Sequence, residues 1–152
     1  MRQLSLLLAA VLVTAATANG ADQWGLERGT PDIKAAGSLT FGPDDVLFVG
    51  DTKSAAIFAI ATGNKEGDAS KASINVDDLA AKVSDVVGGK ATINDLATNP
   101  RTGNVFASVT ADGKPAIVQV DGAGKITQLA MKDVRFSKAE LADPPEDRET
   151  GQ

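Results

Sequence analysis

Residues 37–60, GSLTFGPDDVLFVGDTKSAAIFAI, decide the reading of the chain. Leu39 to Phe41 is a short apolar strand. Gly42-Pro43-Asp44-Asp45 then forms a turn, in which proline presets φ and the aspartates bond to their own backbone. Val46 to Val49 is a run of four apolar residues, which predicts a strand buried on both faces rather than one with a wet side. A turn over Gly50–Ser54 leads into a third apolar strand, Ala55 to Ile60.

A degenerate copy follows at residues 94–120, NDLATNPRTGNVFASVTADGKPAIVQV. Leu39 corresponds to Leu96 and Pro43 to Pro100 at an offset of 57, Phe48 to Phe106 at 58, and Ile57 to Ile117 at 60. The offset grows only at turns, where insertions are tolerated. Strands are expected at Ala91–Thr98, Val105–Val109, Ala116–Val120 and Ile126–Leu129, joined by turns over Asn99–Asn104, Ala111–Pro115 and Asp121–Gly124. Each copy reads as a four-stranded unit designed to be sandwiched. Two such units alone would leave two apolar faces open, a loss of several kcal/mol at roughly 25 cal/mol per Å². The expectation is therefore self-association through those faces, or continuation of the chain into further units.

Between the copies a helix is predicted over 76–87. Asn75 is its N-cap, Leu79, Val83, Val86 and Val87 form one apolar face, and Gly88-Gly89 is its stop. Upstream, Met1–Ala18 has the form of a secretory signal peptide: a basic Arg2, an apolar Leu4–Val13 and a small-x-small Ala16-Thr17-Ala18. Export, to a periplasm or outside the cell, is the compartment this implies, with no membrane span left after cleavage. Residues 19–36 form a lead-in whose Trp24 packs against the first unit. Residues 37–132 hold the two units, and 133–152, with Pro144-Pro145 and a charged run, are read as a polar, disordered tail.

Composition removes many chemistries. The 152 residues contain no Cys and no His, so thiol nucleophiles, imidazole bases and Cys/His zinc sites are all absent. A metal, if one binds, is a hard cation such as calcium held by oxygen. A formal charge of −5 without a basic cluster argues against nucleic acid and anionic membrane surfaces. The partner expected is a small molecule or a protein.

The pattern at Leu39–Asp51, an apolar residue, Phe41, Pro43-Asp44, then Leu47-Phe48-Val49 and Asp51, resembles the blades of NHL-repeat β-propellers. It also resembles the six-bladed gluconolactonase and paraoxonase-like superfamily. Asn94-Asp95-Leu96-Ala97, followed by Pro100, Gly103 and Phe106, is similar to the Asn-Asp stretch those lactonases carry on an inner strand. The resemblance implies a mainly β fold, a partial propeller of about two four-stranded blades with one inserted helix, forming the N-terminal part of a longer protein. It implies calcium as cofactor, with Asn94 as a ligand or substrate contact and Asp95 beside it. The alternative for both is side-chain to backbone capping. Asp51 and Lys53 either line a ligand-binding rim or are turn residues. The resemblance breaks at Ala35-Ala36-Gly37, where the lactonases carry a metal-binding Glu. A non-catalytic binding module is therefore expected first, and a calcium-dependent lactone or ester hydrolase second.

Overall fold

The computed structural model describes residues 24–142. The signal peptide read at 1–18 and the end of the polar tail lie outside them. The elements run β1 (Glu27–Gly29), β2 (Leu39–Phe41), β3 (Val46–Asp51), β4 (Ala56–Ala61), α1 (Leu79–Val87), β5 (Ala91–Thr98), β6 (Val105–Ala111), β7 (Lys114–Val120), β8 (Ile126–Gln128) and β9 (Val134–Glu140). The fold is mainly β: two antiparallel sheets, one of five strands in the order β1-β9-β4-β3-β2 and one of four in the order β5-β6-β7-β8.

Local chemistry explains the turns. Asp44 and Asp45 take positive φ values of 54° and 62° between β2 and β3, a conformation that short polar side chains tolerate better than most. Asp112 and Gly113, at 46° and 77°, supply the two left-handed residues that a tight primed hairpin turn needs. Ala111 and Lys114 therefore face each other, and β7 begins two residues earlier than the turn reading implies. Pro115 is accommodated because β8 pairs only with Val118–Val120, leaving the start of β7 an edge.

The main core lies between the two sheets. Leu39, Leu47, Val49, Phe58 and Ile60 from the first meet Phe106 and Ile117 from the second, with Phe41 edge-on to Phe106 at 5.1 Å between centroids. A second core forms on the far face of the four-stranded sheet, where Val83 of α1 packs on Ala107, Val109 and Val118. Successive residues Phe106, Ala107, Ser108 and Val109 are consequently all buried.

Several expectations are corrected. The second sheet's far face is not open, because α1 covers it. That helix starts at Leu79 rather than at 76. Its N-cap is Asp78, whose side chain accepts from the Ala81 N–H at 3.2 Å, rather than Asn75. A helical face set by Val83 turns Val86 outward, where it is 38% exposed. Double-sided burial fails in β4, where Ile57 is 41% exposed.

A further correction concerns the polar tail. Val134–Glu140 is no tail but the strand β9, inserted between β4 and β1. It pairs with Ala56–Ile60 on one side and with Glu27–Gly29 on the other. Its Phe136 packs at the edge of the main core, tilted against Phe58. The first sheet thus gains its fourth and fifth strands from the two ends of the described chain.

Candidate functional site

The two sheets meet along a polar seam, and that seam contains the residues the sequence points to. A β-bulge falls between Ile93 and Asp95, so Asn94 has no partner on β6 while Asp95 faces Ser108. Without the bulge, Asn94 and Asp95 would point to opposite faces. With it, both reach the segment just before and within β2. The Asn94 amide donates to the Ala36 carbonyl at 2.8 Å and to Thr110 Oγ1 at 3.0 Å. Asp95 Oδ2 accepts from the Leu39 N–H at 2.8 Å, and Oδ1 from the Leu96 N–H at 2.8 Å. The bonds from Leu39 and then Leu96 hold the Asp95 carboxyl below its ordinary value. Beside them, fully buried Ser108 donates to the Gly37 carbonyl at 2.6 Å.

This donor set does not fit calcium. The ion takes about six to eight oxygens, several of them carboxylates. The seam offers one carboxylate, with each oxygen already accepting a backbone N–H. Among the described residues no group of three or more acidic side chains gathers to hold a metal ion. Ser108 was missed in the sequence, although a lone hydroxyl between Ala107 and Val109 is a signal of a buried polar contact.

Asp51 is drawn inward rather than to a rim. Its side chain is buried and accepts four backbone N–H bonds: Lys34 at 2.7 Å on Oδ2, and Ala35, Lys53 and Ser54 at 3.0 to 3.1 Å on Oδ1. Burial pushes this carboxyl up. The hydrogen bonds from Lys34, Ser54 and Ala35 outweigh it and leave the group below its ordinary value. One side chain thereby closes the β3–β4 turn and pins the lead-in to it. The Lys53 side chain is exposed, and the structure brings it together with Asp51 only through its backbone N–H. Neither Asp51 nor Lys53 lies with Asn94 and Asp95 in a shared contact.

A second polar knot joins the loop after β4 to the β5–β6 turn. Fully buried Asn99 donates to the Asn64 carbonyl and side-chain oxygen, and accepts from the Arg101 and Thr102 N–H groups. Thr102 Oγ1 donates to Asn64 Oδ1 at 2.7 Å. Arg101 Nε approaches the buried Asp45 Oδ2 at 3.2 Å, an ionic contact without hydrogen-bond alignment that ties the corresponding turns of the two sheets.

A further accessible feature is the outer face of the first sheet. Trp24 lies across it, with its indole N–H donating to Asp44 Oδ2 at 2.9 Å. Trp24, Leu26, Val46, Phe48 and Ala59 border an apolar depression of about 180 Å³. Trp24 packs on the first sheet as the sequence suggests, yet it remains 46% exposed.

No family model matches the chain, and no curated protein or solved structure matches it.

Proposed function

We propose that the protein is an exported, non-catalytic binding module whose two sheets are blades of the NHL-repeat and gluconolactonase-like propeller kind. The blade reading is supported by the plain antiparallel meander of β5–β8 and by the packing of the two sheets face to face with β2 beside β5. The export reading is supported by the Arg2, Leu4–Val13 and Ala16–Ala18 pattern. The partner is a small molecule or a protein, bound at the outer face of the first sheet. That face is also the surface through which copies would self-associate. Nucleic acid is disfavoured by the acidic charge.

The observation that carries the non-catalytic reading is the commitment of Asn94, Asp95 and Asp51 to backbone hydrogen bonds. A general base needs a carboxylate within reach of a substrate proton. These three groups instead hold the lead-in and β2 in place.

The test is a pair of thermal melts, with calcium and with chelator, together with an assay of aryl-ester and lactone hydrolysis. The expected result is one midpoint in both conditions and no turnover above buffer. Asn94→Ala is expected to lower stability by about 1 kcal/mol through its lost bond to Ala36. A saturable rise in midpoint with calcium, accompanied by hydrolysis that Asp95→Asn abolishes, would replace this reading with a calcium-dependent lactone or ester hydrolase.

A further inference from the structure

β9 has a neighbour on both sides for only part of its length. β1 covers Val134–Phe136, and the chain before β1 leaves the sheet at Gly25, where φ is 66°. β9 is accordingly half-buried from Val134 to Ser137 and exposed from Lys138 to Glu140. Among the described residues no strand pairs with that exposed stretch on the β1 side. Gly25, Glu27, Phe136 and Lys138 border an open hollow beside it of about 370 Å³.

The hydrogen-bond phase of this edge is fixed from its other side. The Leu141 N–H donates to the Ala55 carbonyl at 2.8 Å. Direction alternates along an antiparallel strand, so Ser137, Ala139 and Leu141 turn their backbone groups to β4 while Lys138 and Glu140 turn theirs outward. The side chains of Lys138 and Glu140 share one face of the strand and pair with each other at 2.6 Å. A lysine by itself blunts an edge against pairing. Here the glutamate beyond Ala139 supplies the opposite charge.

Only outward-pointing residues can exchange backbone bonds across a new seam. For two copies related by a two-fold axis, the available registers centre on Lys138, Ala139 or Glu140. The first sets lysine against lysine and the last glutamate against glutamate, and like charges directly opposite destabilise a strand pair. The register centred on Ala139 sets Lys138 of each copy against Glu140 of the other. It closes the outward backbone groups in pairs and makes a ring of charges alternating in sign. Leu141 of one copy, 54% exposed, is then carried to Gly25 and Leu26 of the other, where the lead-in leaves the sheet.

We propose that the open edge of β9 is a self-complementary docking strand, to which a second copy of this chain adds antiparallel about a two-fold axis at Ala139. The two five-stranded sheets then run on as one continuous sheet. The seam is short, so the dimer is weak and forms as concentration rises. It lies at the sheet's edge and leaves the outer face free for a small molecule or another protein.

The full chain contains no cysteine, so a single introduced thiol reports on one position. In this register Ala139 meets its own copy in a non-hydrogen-bonded pair, with Cα atoms about 4.5 Å apart, within the span of a disulfide. The full chain carrying Ala139→Cys is oxidised at rising concentration and compared with Ala123→Cys, an exposed position in the β7–β8 turn. Covalent dimer is expected about tenfold faster from Ala139→Cys, because the seam raises the effective thiol concentration. Adding Lys138→Glu or Glu140→Lys to Ala139→Cys should each remove the excess, and adding both should restore it. Salt should narrow these differences. Restoration by the double swap separates pairing across the seam from loss of folding, which the melting midpoint of each variant checks. Equal rates from Ala139→Cys and Ala123→Cys, or an excess that ignores the charge swaps, overturns the proposal. Faster dimer formation from Ile57→Cys, on the outer face, also overturns it and moves self-association to that face.

Discussion

The four-stranded sheet is drawn from one continuous stretch, residues 91–128, whereas the five-stranded sheet is assembled from three: 39–61 in the middle, 27–29 before it and 134–140 after it. The two begin from similar sequences. They differ in what completes them. In the second, β8 follows β7 through a short turn and α1 covers the far face. In the first, the strand beside β4 is β9, more than seventy residues further along the chain. Among the described residues, its outer face is crossed by the lead-in at Trp24 and Leu26. Similar meanders thus reach burial by a local route and by a long-range one.

Removing β9 should break that comparison most severely. A chain ending at Lys132 leaves β4 paired with β3 alone, takes Phe136 from beside Phe58, and detaches β1. Amide exchange over Val46–Asp51 and Ala56–Ala61 is expected to approach unprotected rates, while Val105–Val120 retains measurable protection. Equal loss in both sheets would mean that the shared core around Phe106 makes them one cooperative unit.

Asp51→Ala is next. It strips four backbone donors of their acceptor and should cost about 3 kcal/mol or more by denaturant unfolding. The wild-type contribution depends on acid in a defined direction. The folded carboxyl lies below its ordinary 3.8, so its contribution is complete above that pH and is lost as pH falls through the lower folded value. The stability gap between wild type and variant should therefore be constant near neutrality and close in strong acid. A gap that persists there would assign the effect to packing instead.

Val83→Ala tests the local route and should have the smallest effect of these three, about 2 kcal/mol. The loss should be confined to α1 and the four-stranded sheet in exchange measurements. Spread of the effect to β4 and β9 would show that the helix supports both cores.

Much of the strand pattern was legible because it rests on local chemistry. Val46–Val49, Val105–Val109 and their turns follow from apolar runs bounded by Pro, Asp and Gly. The helix was legible from Val83 and its neighbours, but its start was not. Asp77 and Asp78 both suit an N-terminus, and only the docking of Leu79 and Val83 on the second sheet chooses Asp78. β9 was hidden because VRFSKAE carries just two large apolar residues. Its order comes from hydrogen bonding to strands on both sides, which no local pattern records. The roles of Asn94, Asp95 and Asp51 were hidden for a related reason. Residue type marks a polar group able to bind, while its neighbours in space decide whether backbone N–H groups already occupy it.

By itself, then, the sequence determined that this is a β protein of two related meanders with a helix between them, lacking thiol and imidazole chemistry. Periodicity and turn residues act over a few positions, and those properties need nothing more. The tertiary structure alone decided that the first meander is completed from both ends of the described chain. It alone decided that the polar candidates serve the seam between the sheets. Each of these depends on contacts between segments remote in sequence, where geometry rather than residue order sets which groups meet.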